Sequence, residues 1–228
     1  MTEGLLILDF DGTLCLGDGP VLAYASEVAR ALSEPETSIL APLAAFLDGA
    51  PHHEFGESPD GYSAVARWAQ ERGLDAPGRS AAYARSRLIV DSSEVPVTTP
   101  HGVEQFLQGF SGWHRVLVTN APQLGTERLV GTLGLGAHLE SIIGDARKPE
   151  GLRALAQAGG DLDLQRWPRA LSIGDIWRND LEPVSAAATT VLIERHPQPE
   201  ARPGFRASRI EDLYGSVAHW RTPPTTVA

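Results

Sequence analysis

Short apolar runs recur along the chain, each ending in a glycine or a polar residue: Leu5–Leu8 before Asp9, Val116–Val118 before Thr119, Leu171–Ile173 before Gly174 and Val191–Ile193 before Glu194. Runs this short, with helical periodicity between the later ones, predict the buried parallel strands of an α/β sheet. Ser141–Ile143 before Gly144 is a weaker fifth strand candidate. Such sheets bind ligands beyond the carboxyl ends of their strands, where strand order reverses. The polar residues that follow each run are therefore the expected place for chemistry.

Roughly a hundred residues separate the first two strands, far more than the dozen or so that a βαβ crossover needs. Within this stretch Val21–Leu32, Ser38–Leu47, Tyr62–Arg72 and Arg79–Val90 carry alanine-rich apolar periodicity near three and four, which predicts helices. The expected organisation is a Rossmann-like three-layer α/β core with a parallel sheet, residues 1–18 and 97–228, carrying a small inserted helical domain, residues 19–96. The linkers fall around Leu16–Pro20 and Glu94–Pro100. From Pro100 to Leu107 the sequence predicts a helix with proline in its first turn. Arg195–Arg209, rich in proline and arginine, predicts a loop, and Thr222–Ala228 a frayed tail.

Composition narrows the function classes. With 42% hydrophobic and 21% charged residues among 228, the chain can bury a core and is not of the disordered or collagenous kind. The 19 basic and 29 acidic residues leave a formal charge of -10, against the basic surface that nucleic-acid affinity requires, so no nucleic-acid partner is expected. No run approaches the eighteen or so apolar residues of a membrane helix, and the start lacks a basic, signal-like segment. One cysteine, Cys15, rules out an internal disulfide. A cytoplasmic protein, monomer or homodimer, with no membrane partner is the expectation. One oddity stands out: Lys148 is the single lysine among 18 arginines. A composition that replaces lysine by arginine wherever it can would mark Lys148 as a place where arginine does not serve.

The chemistry-bearing residues follow the strands. Asp9-Phe10-Asp11-Gly12-Thr13 puts two carboxylates at a strand end, where they raise each other's pKa unless a cation intervenes; hard oxygen ligands suit Mg²⁺. Thr119-Asn120 offers a hydroxyl and an amide to a phosphoryl oxygen. Gly174-Asp175 with Asn179-Asp180 supplies further acids able to complete a cation site, and Lys148-Pro149 places the lone lysine at a turn or helix start. Each has an ordinary alternative: Thr119 as a turn residue, Asp180 as a helix cap, Lys148 as a solvated side chain, Cys15 as packing rather than a reactive thiol. Together and in this order they favour a site.

In these motifs the sequence resembles the haloacid dehalogenase-like (HAD) superfamily of hydrolases, matched by Asp9-Phe10-Asp11-Gly12-Thr13, by Leu117-Val118-Thr119-Asn120, by Lys148-Pro149, and by Gly174-Asp175 with Asn179-Asp180. The insertion is similar to the family's type 1 cap, in the phosphoglycolate phosphatase-like group. The resemblance implies Asp9 as nucleophile and Asp11 as general acid and base. It implies Mg²⁺ on Asp9, Asp175 and the main-chain carbonyl of Asp11. Thr119, Asn120 and Lys148 would then hold the phosphoryl group, with Asp180 orienting Lys148 or a metal-bound water. Dehalogenases of the superfamily lack the second aspartate, so Asp11 points to a phosphatase acting on a small phosphorylated metabolite. The alternatives are a sugar phosphomutase and a catalytically idle binding protein of the same fold. Specificity is expected in the cap, where His52, His53, Arg79, Arg85 and Arg87 are candidates for substrate contact or for solvent, and Trp177 either borders the pocket or packs.

Overall fold

The computed structural model describes residues 2–49, 54–91 and 95–222. Six parallel strands form one sheet: β1 (Leu5–Leu8), β2 (His114–Val118), β3 (Ser141–Ile143), β4 (Ala170–Gly174), β5 (Thr189–Ile193) and β6 (Phe205–Ala207), in the order β3-β2-β1-β4-β5-β6. All five predicted strands form. The sixth lies inside Arg195–Arg209, read from the sequence as a loop. Phe205-Arg206-Ala207 is a short edge strand, with Arg206 exposed, so it lacks the continuous apolar run that announces a strand covered on both faces.

Alternation explains those runs. Leu6, Leu8, Leu117, Leu171, Ile173, Val191 and Ile193 face one apolar layer, together with Phe106, Leu107 and Phe110. Leu5, Ile7, Val116, Val118 and Ala170 face the other, with Leu152 and Ala156. Successive strand residues point to opposite faces and both faces are covered, so the whole run must be apolar. The covering helices are α5 (Val103–Gln108), α6 (Gln123–Thr132), α7 (Glu150–Ala156) and α8 (Tyr214–Arg221). Helix α5 begins after Pro100 rather than containing it, because Gly102 at φ +74 turns the chain first.

The inserted segment folds as α1 (Gly19–Leu32), α2 (Thr37–Leu47), α3 (Gly61–Glu71) and α4 (Ala76–Asp91), close to the predicted helices. These four bury their own apolar cluster, including Val28, Leu43, Val65 and the fully buried Trp68. The chain leaves and re-enters the sheet through neighbouring segments, with Leu16 and Thr98 exchanging backbone hydrogen bonds of 2.7 and 2.9 Å. No helix among the described residues is long and apolar enough to cross a membrane.

Candidate active site

β1 is the centre of the site because its two neighbours, β2 and β4, leave in opposite directions. This is the strand-order reversal at which α/β sheets bind ligands. The Asp9 N–H continues the ladder to the Ile173 carbonyl at 2.9 Å, which fixes Asp9 at the strand's carboxyl end. Gly12, at φ +83, turns the chain immediately afterwards. A Cβ at that position would lie 2.2 Å from Asp175 Oδ2, so the close approach of the first and fourth motifs requires glycine.

Lys148 joins the motifs. Its side chain, 4% exposed, donates to Asp9 Oδ1 at 2.6 Å, Asp180 Oδ1 at 2.6 Å and the Val118 carbonyl at 3.0 Å, using all three ammonium protons. Burial alone would lower its pKa, but Asp180 and Asp9 outweigh burial and hold it charged. Asp180 is set by a π-helical turn, Trp177–Leu181, that folds back over Gly174. A Cβ on Gly174 would sit 2.4 Å from that of Asp180. Asp180 Oδ2 accepts from the Ile176 N–H at 2.9 Å, so both its oxygens are engaged. Burial pushes this carboxyl up to about 7; Lys148 opposes the rise and Asp9 adds to it. Asp180 is thus a positioning group for Lys148.

Asp9 Oδ2 is buried and takes no hydrogen bond from the described residues. Oxygens of Asp9, Asp175 and Asp180 gather within 4.8 Å of one another. With Asp180 spent on Lys148 and Ile176, Asp9 and Asp175 are the pair left facing each other without a donor between them among the described residues. Burial drives Asp175 well above the usual carboxylate range, and Asp9 and Asp180 drive it further. Such a pair is stable as a dianion only with a cation between, and an all-oxygen donor set fits Mg²⁺.

Thr119 is 2% exposed, and its Oγ1 accepts from the Ala121 N–H at 3.1 Å, which leaves the hydroxyl proton for a ligand. Asn120 departs from expectation. Its side-chain Oδ1 accepts from the Lys148 N–H at 2.6 Å and its Nδ2 reaches the Lys148 carbonyl at 3.5 Å. The side-chain amide therefore fixes the lysine's backbone and is not free for a phosphoryl oxygen; its main-chain N–H, unused in the described backbone hydrogen bonds, can serve instead.

Asp11 turns its carboxylate away from the Asp9–Asp175 pair and toward the inserted helices. Arg87 Nη1 of α4 reaches its two oxygens at 3.3 and 3.4 Å. Burial raises the pKa of Asp11, Arg87 lowers it and Asp9 raises it, with a net rise. Arg87 is 2% exposed, and its Nε and Nη2 have no hydrogen-bond partner among the described residues. Of the other cap candidates, Arg85 pairs with Glu27 at 2.7 Å and Arg79 donates to the Leu74 carbonyl; His52 and His53 lie outside the described residues. Trp177 packs with Leu181, Leu192 and Ala201. Cys15 is buried at 3% exposure, and burial, reinforced by Asp11, pushes its thiol up to about 12, so it packs and does not react.

Above the aspartates lies a cavity of about 320 Å³, with Asp9, Asp11, Thr119, Lys148 and Asp175 on its floor. Its roof comes from the insertion: Tyr24, Asp60, Tyr62, Ser63, Ala66 and Tyr83. None of these was singled out in the sequence. The available signal was compositional, since three of the chain's four tyrosines stand in the inserted segment.

No protein-family model matches the chain, and no curated protein does. Solved structures do. The HAD hydrolase YfnB of Bacillus subtilis, solved with magnesium bound, is 18% identical at a TM-score of 0.56, covering 95% of this chain and 99% of its own. A predicted phosphoglycolate phosphatase of Haemophilus somnus is 15% identical at a TM-score of 0.59, covering 95% and 99%. The L-2-haloacid dehalogenase of Xanthobacter autotrophicus is 15% identical at a TM-score of 0.54, covering 95% and 98%.

Proposed function

We propose that this chain, which has the fold of the HAD-like hydrolases, is a Mg²⁺-dependent phosphatase that hydrolyses a small phosphomonoester through an aspartyl phosphate on Asp9. The observation that carries the reading is the state of Asp9: one oxygen is held by a buried ammonium, the other is without a hydrogen bond from the described residues, and a second bare carboxylate, Asp175, stands beside it. Asp9, Asp175 and the Asp11 carbonyl would hold the ion. When bound, Mg²⁺ supplies the positive charge that lets a carboxylate approach a phosphate dianion.

The chain's own residues account for the rest. A carboxylate oxygen of Asp9 attacks phosphorus and the bond to the ester oxygen breaks, while Asp11 passes its proton to the departing alkoxide. Asp11, now a carboxylate, takes a proton from the water that attacks phosphorus. The bond to Asp9 breaks and inorganic phosphate leaves. Arg87 holds Asp11 toward the roof, on the side where a leaving group must sit. Thr119 and the Asn120 N–H hold phosphoryl oxygens, and Lys148 offsets charge that builds up between nucleophile and phosphoryl group.

The family contains dehalogenases, but Asp11 favours the phosphatase reading: a halide needs no proton on leaving, and an acid at that place would have no task. The test is Asp9→Asn assayed on p-nitrophenyl phosphate with Mg²⁺. Loss of phosphate release to background is expected, and substantial residual turnover overturns the mechanism.

A further inference from the structure

The roof of the cavity differs in character from its floor. Tyr24, Tyr62 and Tyr83 form a closed triangle with ring centroids 5.6 to 6.1 Å apart. Tyr24 and Tyr62 are inclined by 31°, while Tyr83 stands at 88° and 77° to them, which makes an aromatic corner. Beside it is Asp60. One of its oxygens caps α3 by accepting from the Ser63 N–H at 2.7 Å, the Ser63 hydroxyl also donates to the carboxylate, and no cation among the described residues pairs with it. Burial raises the pKa of Asp60, and the acids of the floor add to the rise.

Charges on this wall discriminate among leaving groups. Among the described residues the roof has no lysine, arginine or histidine lining the cavity. Arg87 of the insertion does not line it and is spent on Asp11; Lys148 is spent on Asp9 and Asp180. A leaving group that ends in a carboxylate or a second phosphate would meet Asp60 with no counter-charge. An ammonium would meet a carboxylate beside a corner of three tyrosines, and a cation is attracted to aromatic rings as in aromatic cages. The volume, near the lower end of the roughly 300 to 1,000 Å³ of small-molecule sites, suits a small ester.

We infer that the substrate is a short aminoalkyl phosphomonoester, whose ammonium or quaternary ammonium end is received by Asp60 and the Tyr24–Tyr62–Tyr83 corner. This rests on the phosphatase reading above and adds the substrate class to it.

The test uses three esters of nearly equal size: 2-aminoethyl, 2-hydroxyethyl and carboxymethyl phosphate. They are assayed on the wild-type chain with Mg²⁺ alongside p-nitrophenyl phosphate. The expected order of kcat/KM is aminoethyl over hydroxyethyl by at least tenfold, and over carboxymethyl by at least a hundredfold. Asp60→Asn, which retains the ability to cap α3, should cut the aminoethyl-to-hydroxyethyl ratio at least fivefold, chiefly through KM. A flat or reversed series with the aryl phosphate still hydrolysed overturns the inference and leaves the phosphatase standing, as does an unchanged ratio in Asp60→Asn. No release from any of the four overturns both.

Discussion

Replacement of Lys148 by arginine separates a role for charge from a role for shape. The ammonium sits at 4% exposure with contacts of 2.6, 2.6 and 3.0 Å to Asp9, Asp180 and the Val118 carbonyl. Charge survives the change, but a guanidinium is a broad planar fork where a compact donor is needed. Overpacking such a position costs about 1–3 kcal/mol. A displacement of about 1 Å at the nucleophile costs about 10²-fold in rate. Arg147 is the internal control: it is exposed, it makes no ion pair among the described residues, and Arg147→Lys should stay within about 0.5 kcal/mol in stability. The assay is kcat and KM on p-nitrophenyl phosphate with saturating Mg²⁺, paired with urea denaturation of each variant. Lys148→Arg should lose at least about 10²-fold in kcat, while Arg147→Lys keeps wild-type kcat. Lys148→Arg within threefold of wild type, or equal losses in both variants, refutes the claim that this lysine is required for its compactness.

Two further outcomes are expected. Arg87→Gln leaves Asp11 without its cation and should cost about 2–3 kcal/mol in urea denaturation, below the 3–5 kcal/mol of a fully buried pair because the Asp11 side chain is 18% exposed; kcat should fall as well, and a variant unchanged in both removes Arg87 from the site. Glu140, just before β3, pairs with Arg115 of β2; partial burial raises its pKa, and the hydrogen bonds and charge of Arg115 outweigh that and lower it below the ordinary 4.5. A carboxyl lowered on folding stabilises above its unfolded value, and that stability is lost as pH falls through the folded value. Thermal melts of the wild type should therefore lose more stability on acidification below about pH 4.5 than those of Glu140→Gln; parallel curves would show that the pair contributes nothing.

The sequence made the core legible because its strands are covered on both faces. Leu5–Leu8 could not be other than apolar, and Asp9 directly after it could not be plain packing. Asp11, Thr119, Lys148, Asp175 and Asp180 follow strands or their connections in the same way, and the fold brings them together. Edge strand β6 was hidden by its exposure. Asn120 was read by its chemistry alone, and only the geometry reveals that its amide is taken by the Lys148 backbone. The roof and Arg87 were illegible for a different reason: Tyr24, Tyr62, Tyr83 and Arg87 come from three helices, and Asp60 from the cap of one of them, whose relative packing no local pattern encodes. Arg87 looked no different from its solvated neighbour Arg85, although one is buried against a carboxylate of the floor and the other, 45% exposed, pairs within the insertion.

The pairing of Leu16 with Thr98 brings the two ends of the insertion side by side. Everything proposed to break the phosphoester bond enters the cavity from residues 9–11 and 119–180, and everything proposed to choose the ester enters from residues 24–83. One adjacent pair of splice points therefore divides reaction from recognition except at Arg87, the insertion's residue that holds Asp11 of the floor. A segment from another protein of this fold, grafted at Leu16 and Thr98, has no gap to span and should bring its own substrate preference to the same reacting groups, provided that it also places a cation where Arg87 meets Asp11.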